Sequence, residues 1–131
     1  MRHCVASPFA LLIGLALAVP VSAAEVPVVA AVDSSRSLSA ADLATVRAAL
    51  TDLLDLLPAG TPVGLMTFDD DVRWAVPPGG SRDRVLEALA EITPRGRFTV
   101  LNDALFSAAR ELERGGVVVV VTDGRDESSA T

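Results

Sequence analysis

The sequence contains no lysine, one histidine and one cysteine, and each shortage removes a class of chemistry. Without lysine there is no P-loop lysine, no Schiff base with a pyridoxal cofactor and no lysine to complete a receiver-type phosphoacceptor site. His3 and Cys4 both lie beside the N-terminus. If that end is removed as a signal, Ser-His-Asp and Cys-His catalysis, thiolate zinc sites and disulfides are also excluded.

Positive charge is scarce as well. The 11 arginines face 17 Asp and Glu residues, so the formal net charge is −6. Because an acidic surface repels a phosphate backbone, nucleic acid is not an expected partner. The length of 131 residues is that of a single domain. Carboxylates, hydroxyls, arginines and backbone groups remain for any chemistry.

The N-terminus has the pattern of a secretory signal. Arg2 is followed by an apolar stretch from Phe9 to Val19 and then by small residues that suit cleavage. Cleavage after Ala24 predicts a signal peptide over 1–24 and an exported domain over 25–131, secreted or periplasmic. The alternative is an uncleaved membrane anchor, since the stretch before the cleavage point is uncharged and long enough to span a bilayer. The arginine-only, Ala- and Val-rich composition is typical of a GC-rich bacterial genome.

Beyond this segment, short apolar runs alternate with segments in which apolar residues recur at the spacing of an α-helix. The runs predicted to be strands are Val26–Val32, Pro62–Phe68, Val72–Val76 and Val117–Val121. Helices are predicted after the capping residues Ser39 and Ser81 and over Leu101–Leu112. The last is predicted to bury Leu101, Leu105, Ala109 and Leu112. Pro77–Gly80 is predicted to be a loop. This alternation predicts an α/β fold with a doubly wound, mostly parallel sheet and helices on both faces.

Two of the predicted strands are closely followed by an aspartate. Asp33 comes directly after the first strand, and Asp123 comes after the last strand with Thr122 between them. Functional crevices in such sheets lie at the carboxyl ends of the strands. If these two strands are neighbours, the two carboxylates converge at one crevice.

Three segments place oxygen-bearing side chains in a fixed order along the chain. They are Asp33-Ser34-Ser35-Arg36-Ser37 after a strand, Thr99 in a loop that leads into a helix, and Thr122-Asp123-Gly124 after a strand. In this order and spacing, the chain from Val26 onward resembles the von Willebrand factor type A domain. In particular, the three segments resemble its metal-ion-dependent adhesion site.

The resemblance implies a ligand set. Ser35, Ser37 and Thr99 would coordinate the metal through their hydroxyls, and Asp33 and Asp123 would hold it directly or through water. An all-oxygen set suits Mg²⁺, with Mn²⁺ or Ca²⁺ as substitutes. The remaining ligand would be a carboxylate of a partner protein, so the implied function is non-enzymatic, metal-dependent adhesion or docking.

Two residues depart from the family pattern. Arg36, at the rim of the implied site, stands where the family most often has glycine, and it would either repel the cation or bind the incoming carboxylate. Phe98 precedes Thr99 where glycine is usual, and it would stiffen or shift that loop. Both departures bear on affinity and on the choice of partner.

Other interpretations of the same residues remain open at this point. The five predicted ligands are also typical of helix caps and turns. A Mg²⁺-dependent phosphoryl transfer with Asp33 as nucleophile is the enzymatic alternative, although Ser35 stands where phosphoaspartyl hydrolases typically have a second aspartate. A third alternative is a non-functional fragment of a larger protein of the family.

Asp69–Asp71 are predicted to form a solvated turn, with a second cation site as the alternative. Trp74 is expected to pack at the core or at a sheet edge.

The end of the chain leads to a further expectation. The family fold continues with more helices and strands, whereas this chain stops shortly after Asp123. The resemblance therefore implies an incomplete domain with strand order 3-2-1-4 and an antiparallel third strand. In that order Val117–Val121 is an edge, and five unprotected valines at an edge favour self-association of the chain. Membrane contact is expected only if the N-terminal segment is uncleaved.

Overall fold

The structure is a computed structural model that describes residues 26–123 and 129–130. The predicted signal peptide over 1–24 lies outside the described residues. Within them, every helix is too short or too polar to cross a membrane. The elements follow the order β1 (Val28–Asp33), α1 (Ala40–Leu56), β2 (Val63–Phe68), β3 (Val72–Gly80), α2 (Arg82–Glu91), α3 (Leu101–Glu111) and β4 (Val117–Val121).

The strands form one mixed sheet in the order β3-β2-β1-β4. Strand β1 pairs in parallel with both neighbours, so that Val28 lies opposite Val63 of β2 and Val117 of β4. Strand β3 pairs antiparallel with β2. The predicted strand order and the antiparallel third strand are therefore confirmed. Because β1 is central, its carboxyl end lies between those of β2 and β4.

Alternating side chains of β1 face two different cores, because successive residues of a strand point to opposite sides of the sheet. Ala30 and Val32 join a core with α1 and α2, which includes Leu65. Ala31 joins a second core with α3, which includes Phe68. The predicted helices on both faces are confirmed.

Helix α1 begins immediately after the loop that follows β1. Ser39 is its N-cap and forms a capping box with Asp42. The Asp42 N–H donates to Ser39 Oγ at 3.1 Å, and the Ser39 N–H donates to Asp42 Oδ2 at 3.0 Å. Because two free amides of the first turn are satisfied in this way, the loop between Asp33 and Ser39 is held at both ends.

Strand β3 is longer than predicted. Pro77–Gly80, expected to be a loop, continues the strand, and Gly80 pairs with Val63. Two register shifts along β2 accommodate the segment. A strand at the edge of the sheet tolerates proline because its outer side needs no backbone donor.

Helix α3 buries only part of the predicted face. Leu112 is buried and Leu101 packs against the second core, as predicted. Ala104 and Ala108 are fully buried, whereas Leu105 is 40% exposed and Ala109 is also exposed. Large side chains of β2, including Phe68, fill the space beneath the middle of the helix, where the small residues Ala104 and Ala108 fit. Trp74 of β3 is half-buried beside α3, and its Nε1–H donates to Ser107 Oγ at 3.3 Å. The expected packing role of Trp74 is confirmed.

Candidate functional site

Asp33 is the centre of a polar cluster at the carboxyl end of β1. Its carboxylate is 0% exposed. Oδ1 accepts the Ser35 N–H at 2.8 Å, in a turn closed by the aspartate side chain. Oδ2 accepts the Thr122 hydroxyl at 2.9 Å and the Thr99 hydroxyl at 3.4 Å. Three segments far apart in sequence therefore meet at this one carboxylate.

The predicted hydroxyl groups extend from this carboxylate towards the surface. Ser35 and Thr99 are buried, and Ser37 is exposed. Ser35 Oγ and Ser37 Oγ lie 2.8 Å apart and share a hydrogen bond. Asp123, also exposed, follows Thr122 directly in the chain. Hydrogen bonds thus connect Thr99 and Thr122 to Asp33 and Ser37 to Ser35, whereas Asp123 is placed only by its position after Thr122.

Backbone pairing joins the loop after β1 to the loop that carries Thr99. Ser35 and Gly96 form a parallel bridge. The Arg36 N–H donates to the Gly96 carbonyl at 2.9 Å, and the Arg95 N–H donates to the Ser34 carbonyl at 2.8 Å. The Arg36 side chain is exposed at this rim, as is Phe98, which is 49% exposed.

The turn over Asp69–Asp71 is only partly solvated, which corrects the prediction. Asp69 is 0% exposed, whereas Asp70 and Asp71 are exposed. Both Asp69 carboxylate oxygens accept from Arg73 Nη1, at 2.8 and 2.9 Å. Asp69 Oδ2 also accepts the Ser34 hydroxyl at 2.8 Å, so this second buried carboxylate supports the loop after β1.

Asp69 stays ionised because its partners outweigh its burial. Burial by itself raises the pKa of Asp69, but hydrogen bonds from Arg73, Ser34 and the Asp71 N–H lower it, and the net shift is below the ordinary value. The hydrogen bond to Asp69 is also the main cause that raises the pKa of Arg73. The two side chains form a stable ion pair at neutral pH.

The sequence did not assign Asp69 to the support of the loop after β1, nor the Thr122 hydroxyl to a contact with Asp33. Both signals were available. Strand β2 ends at Phe68, so Asp69 follows a strand just as Asp123 does, and Arg73 stands four residues later. Thr122 directly precedes a predicted ligand, and its hydroxyl donates to Asp33.

The two buried carboxylates differ in how their charge is balanced. Asp69 has an arginine, whereas the contacts to Asp33 come from hydroxyls and one backbone N–H within the described residues. A buried anion that has only neutral donors is an energetically suitable place for a cation. Within the same part of the chain, three or more Asp, Glu, His or Cys side chains do not converge anywhere. Any ion at Asp33 would therefore rely on hydroxyls, which suit Mg²⁺.

The structure is an open α/β sheet with helices on both faces, which is a Rossmann-like fold. Carboxylates and hydroxyls lie at the carboxyl end of its central strand, where such sheets have their crevice. The family model of the von Willebrand factor type A domain matches residues 28–125. The chain belongs to this family. Domains of the family generally serve in adhesion or protein interaction, which confirms that part of the expected function.

Individual relatives support the assignment. Matrilin-1 of Mus musculus is 33% identical over 115 residues, which are 75% of this chain and 23% of matrilin-1. BatB of Bacteroides thetaiotaomicron superposes with a TM-score of 0.69 at 25% identity, over 79% of this chain and 56% of BatB. An aerotolerance-related membrane protein of Bacteroides fragilis gives a TM-score of 0.69 and 25% identity, over 79% of this chain and 57% of its own. The chain thus spans about a quarter of the curated relative and a little over half of these two structures.

Proposed function

We propose that this domain is an exported docking module in which a divalent cation at Asp33 bridges to a carboxylate of a partner protein. Ser35, Ser37 and Thr99 would hold the ion through their hydroxyls. Asp33 and Asp123 would hold it directly or through water. Bound Mg²⁺ would supply a positive centre with affinity for one further oxygen ligand, and Mn²⁺ or Ca²⁺ would substitute.

The observation that carries this proposal is the buried Asp33 carboxylate, which is 0% exposed and has neutral donors around it. Among the residues that the structure describes, Asp33 has no charged partner, and further oxygens of the site are accessible from the surface. Hydroxyl ligands add no negative charge to the set. Two carboxylates balance the charge of a divalent ion. Because its other ligands are neutral hydroxyls, the ion still binds one further oxygen ligand, here a carboxylate of the partner.

The residues around Asp33 argue for a binding role over phosphoryl transfer. Phosphoaspartyl hydrolases typically have a second aspartate two residues after the nucleophile, whereas Ser35 stands at that position here. The sequence also has no lysine to stabilise a transferred phosphoryl group. We therefore propose that the domain is not an enzyme.

Export is part of the proposal. It is supported by the signal-like pattern over 1–24 and by the likeness to a protein named as a membrane protein of Bacteroides fragilis. N-terminal sequencing of the protein recovered from the producing cell would test it. A mature N-terminus at Glu25 is expected, and an intact N-terminus would favour the membrane-anchor alternative.

Cation-dependent carboxylate binding can be tested without knowing the partner. Mn²⁺ is first bound to the purified protein, and the relaxation of solvent water protons is followed while acetate is added. Acetate is expected to displace water from the bound ion and to reduce the relaxation enhancement, whereas acetamide, its neutral analogue, is expected to have no effect. Equal responses to the two would argue against a carboxylate-binding cation, and failure to bind Mn²⁺ would overturn the proposal.

Arg36 is proposed to contact the incoming carboxylate, because its side chain is exposed and its backbone is tied into the loop. Arg36→Gln is expected to weaken acetate binding to the Mn²⁺-loaded protein severalfold, since a charge-assisted hydrogen bond is lost. The melting temperature and the Mn²⁺ affinity should stay near those of the wild type. Arg114→Gln removes the same charge between α3 and β4, at the opposite end of the parallel strands, and should change none of the three quantities. A large loss of stability in Arg36→Gln would contradict a role at the rim.

A further inference from the structure

The loop that carries Thr99 is held by the turn that follows β2. Asp70 Oδ1 accepts two consecutive backbone N–H groups, those of Arg97 and Phe98, each at 2.8 Å. The Val100 N–H donates to the Asp69 carbonyl at 3.0 Å. The amides on both sides of Thr99 are therefore bound to one turn.

Close packing accompanies these hydrogen bonds. Gly96 lies so near the turn that an added Cβ would come within 2.4 Å of Asp69 Cβ and 2.8 Å of the Asp70 backbone nitrogen. Such distances are well inside van der Waals contact, so only glycine allows the loop to approach this closely. The loop and the turn are thus packed against each other as well as hydrogen-bonded.

We infer that Asp70 is a positioning residue for Thr99, and that it sets the place of the Thr99 hydroxyl beside Asp33 before any cation binds. The inference rests on the proposed function, since it gives Asp70 an effect on cation affinity. Asp70 acts through the backbone: it fixes residues 97 and 98, and these determine where the next residue directs its hydroxyl. A loop ordered in advance loses less conformational freedom when the ion binds.

Asp70 is exposed, and so are Arg97 and Phe98. If the carboxylate is removed, water can satisfy the two freed N–H groups, so that the cost to overall stability is small. The main effect of the substitution is instead that the loop that carries Thr99 becomes less ordered. This separation distinguishes a positioning role from a merely structural one, which would appear mainly as a lower melting temperature.

The same turn offers a matched control. Asp71 is also exposed, and its carboxylate contacts Arg73 Nη2 at 3.2 Å. Asp70→Ala and Asp71→Ala remove the same charge from neighbouring positions, so a general electrostatic effect on a cation would be nearly equal in both. Asp70→Asn removes the charge but keeps an oxygen that can accept from both amides.

The experiment combines Mg²⁺ calorimetry with amide hydrogen exchange of the metal-free protein. Asp70→Ala is expected to weaken Mg²⁺ binding roughly tenfold and to speed exchange at the Arg97 and Phe98 amides. Asp70→Asn should restore most of the affinity, and Asp71→Ala should bind like the wild type. Wild-type affinity in Asp70→Ala, or an equal loss in Asp71→Ala, would overturn the inference. If the wild-type protein itself binds no Mg²⁺, the proposed function fails, and the exchange rates still decide whether Asp70 holds the loop.

Discussion

Asp33→Asn is expected to abolish measurable Mg²⁺ and Mn²⁺ binding while the metal-free protein stays folded. The substitution removes the charge of the buried carboxylate but preserves its size and one acceptor oxygen. A hard divalent ion binds an amide oxygen much more weakly than a carboxylate, and here the carboxylate is the innermost of the oxygen groups. A loss of at least about a hundredfold in affinity is expected, at the upper end of what removing ligand support produces.

Calorimetric titration of the variant beside the wild type measures this effect, and circular dichroism checks the fold. Asp123→Ala should give a similar loss, because Asp123 is the second predicted carboxylate ligand. Asp52→Ala removes the same charge from an exposed position on α1 and serves as the control. Identical titration curves for Asp33→Asn, Asp123→Ala and Asp52→Ala would show that the ion, if it binds at all, binds elsewhere.

Arg73→Met is expected to destabilise the fold by about 2 to 3 kcal/mol at neutral pH, because it leaves the buried Asp69 carboxylate without its counterion. The estimate is below that for a fully buried pair because the Arg73 side chain is 34% exposed. Methionine retains much of the aliphatic packing of arginine, so the loss should reflect charge. Urea unfolding of both proteins gives the difference in the free energy of unfolding.

The effect of Arg73→Met should depend on pH. In the wild type the pKa of Asp69 is lowered, so its stabilising contribution is present above the ordinary pKa of aspartate, about 3.9, and is lost as pH falls through the lowered value. In the variant the carboxyl takes up a proton more easily, because burial is no longer offset by arginine. The deficit should therefore be full at neutral pH and should shrink below about pH 4.

Arg82→Met provides the comparison. Arg82 pairs at 3.5 Å with Asp55, whose side chain is 65% exposed, and such surface pairs contribute below about 1 kcal/mol. Its cost should be small at every pH. A deficit in Arg73→Met that is equally large at pH 7 and pH 3 would show that the lost interaction is packing rather than charge.

The fold was largely accessible from the sequence because its strongest signals are local. The valine-rich β1 and β4 and the capping box at Ser39 each follow from residues near one another. The end of β3 could not be read in this way. Pro77–Gly80 carries every local signal of a loop, yet pairing of Gly80 with Val63 extends the strand. That pairing depends on a partner outside the segment.

The face of α3 shows a second limit of sequence patterns. Apolar periodicity favours burial of Leu105, but the space above β2 admits Ala104 and Ala108 instead. The space between a helix and a sheet depends on the side chains of both, and the helix sequence alone does not show how large the side chains of the sheet are.

At the candidate site, the family resemblance implied that Ser35 and Thr99 serve together with Asp33. The Ser35 N–H and the Thr99 hydroxyl both donate to Asp33, whereas metal coordination by these residues stays a prediction. Three successive aspartates, however, predict a solvated turn, and the sequence does not show that one of the three side chains is buried. The burial of Asp69 and the contact of Asp70 with residues 97 and 98 are long-range features. They follow from the adjacency of β1 and β2 in the sheet, which no local pattern specifies.

Trp74 makes the intrinsic fluorescence of this protein unusually easy to interpret. The chain has one tryptophan and no tyrosine, so its near-ultraviolet emission arises almost wholly from this indole. The indole lies beside α3, bonded to Ser107, and α3 begins just after the loop that carries Thr99. A displacement of that loop which carries the helix with it changes the polarity around the indole and shifts the emission wavelength. The fluorescence of Trp74 can therefore report a movement of α3 together with the loop that carries Thr99, without any added label.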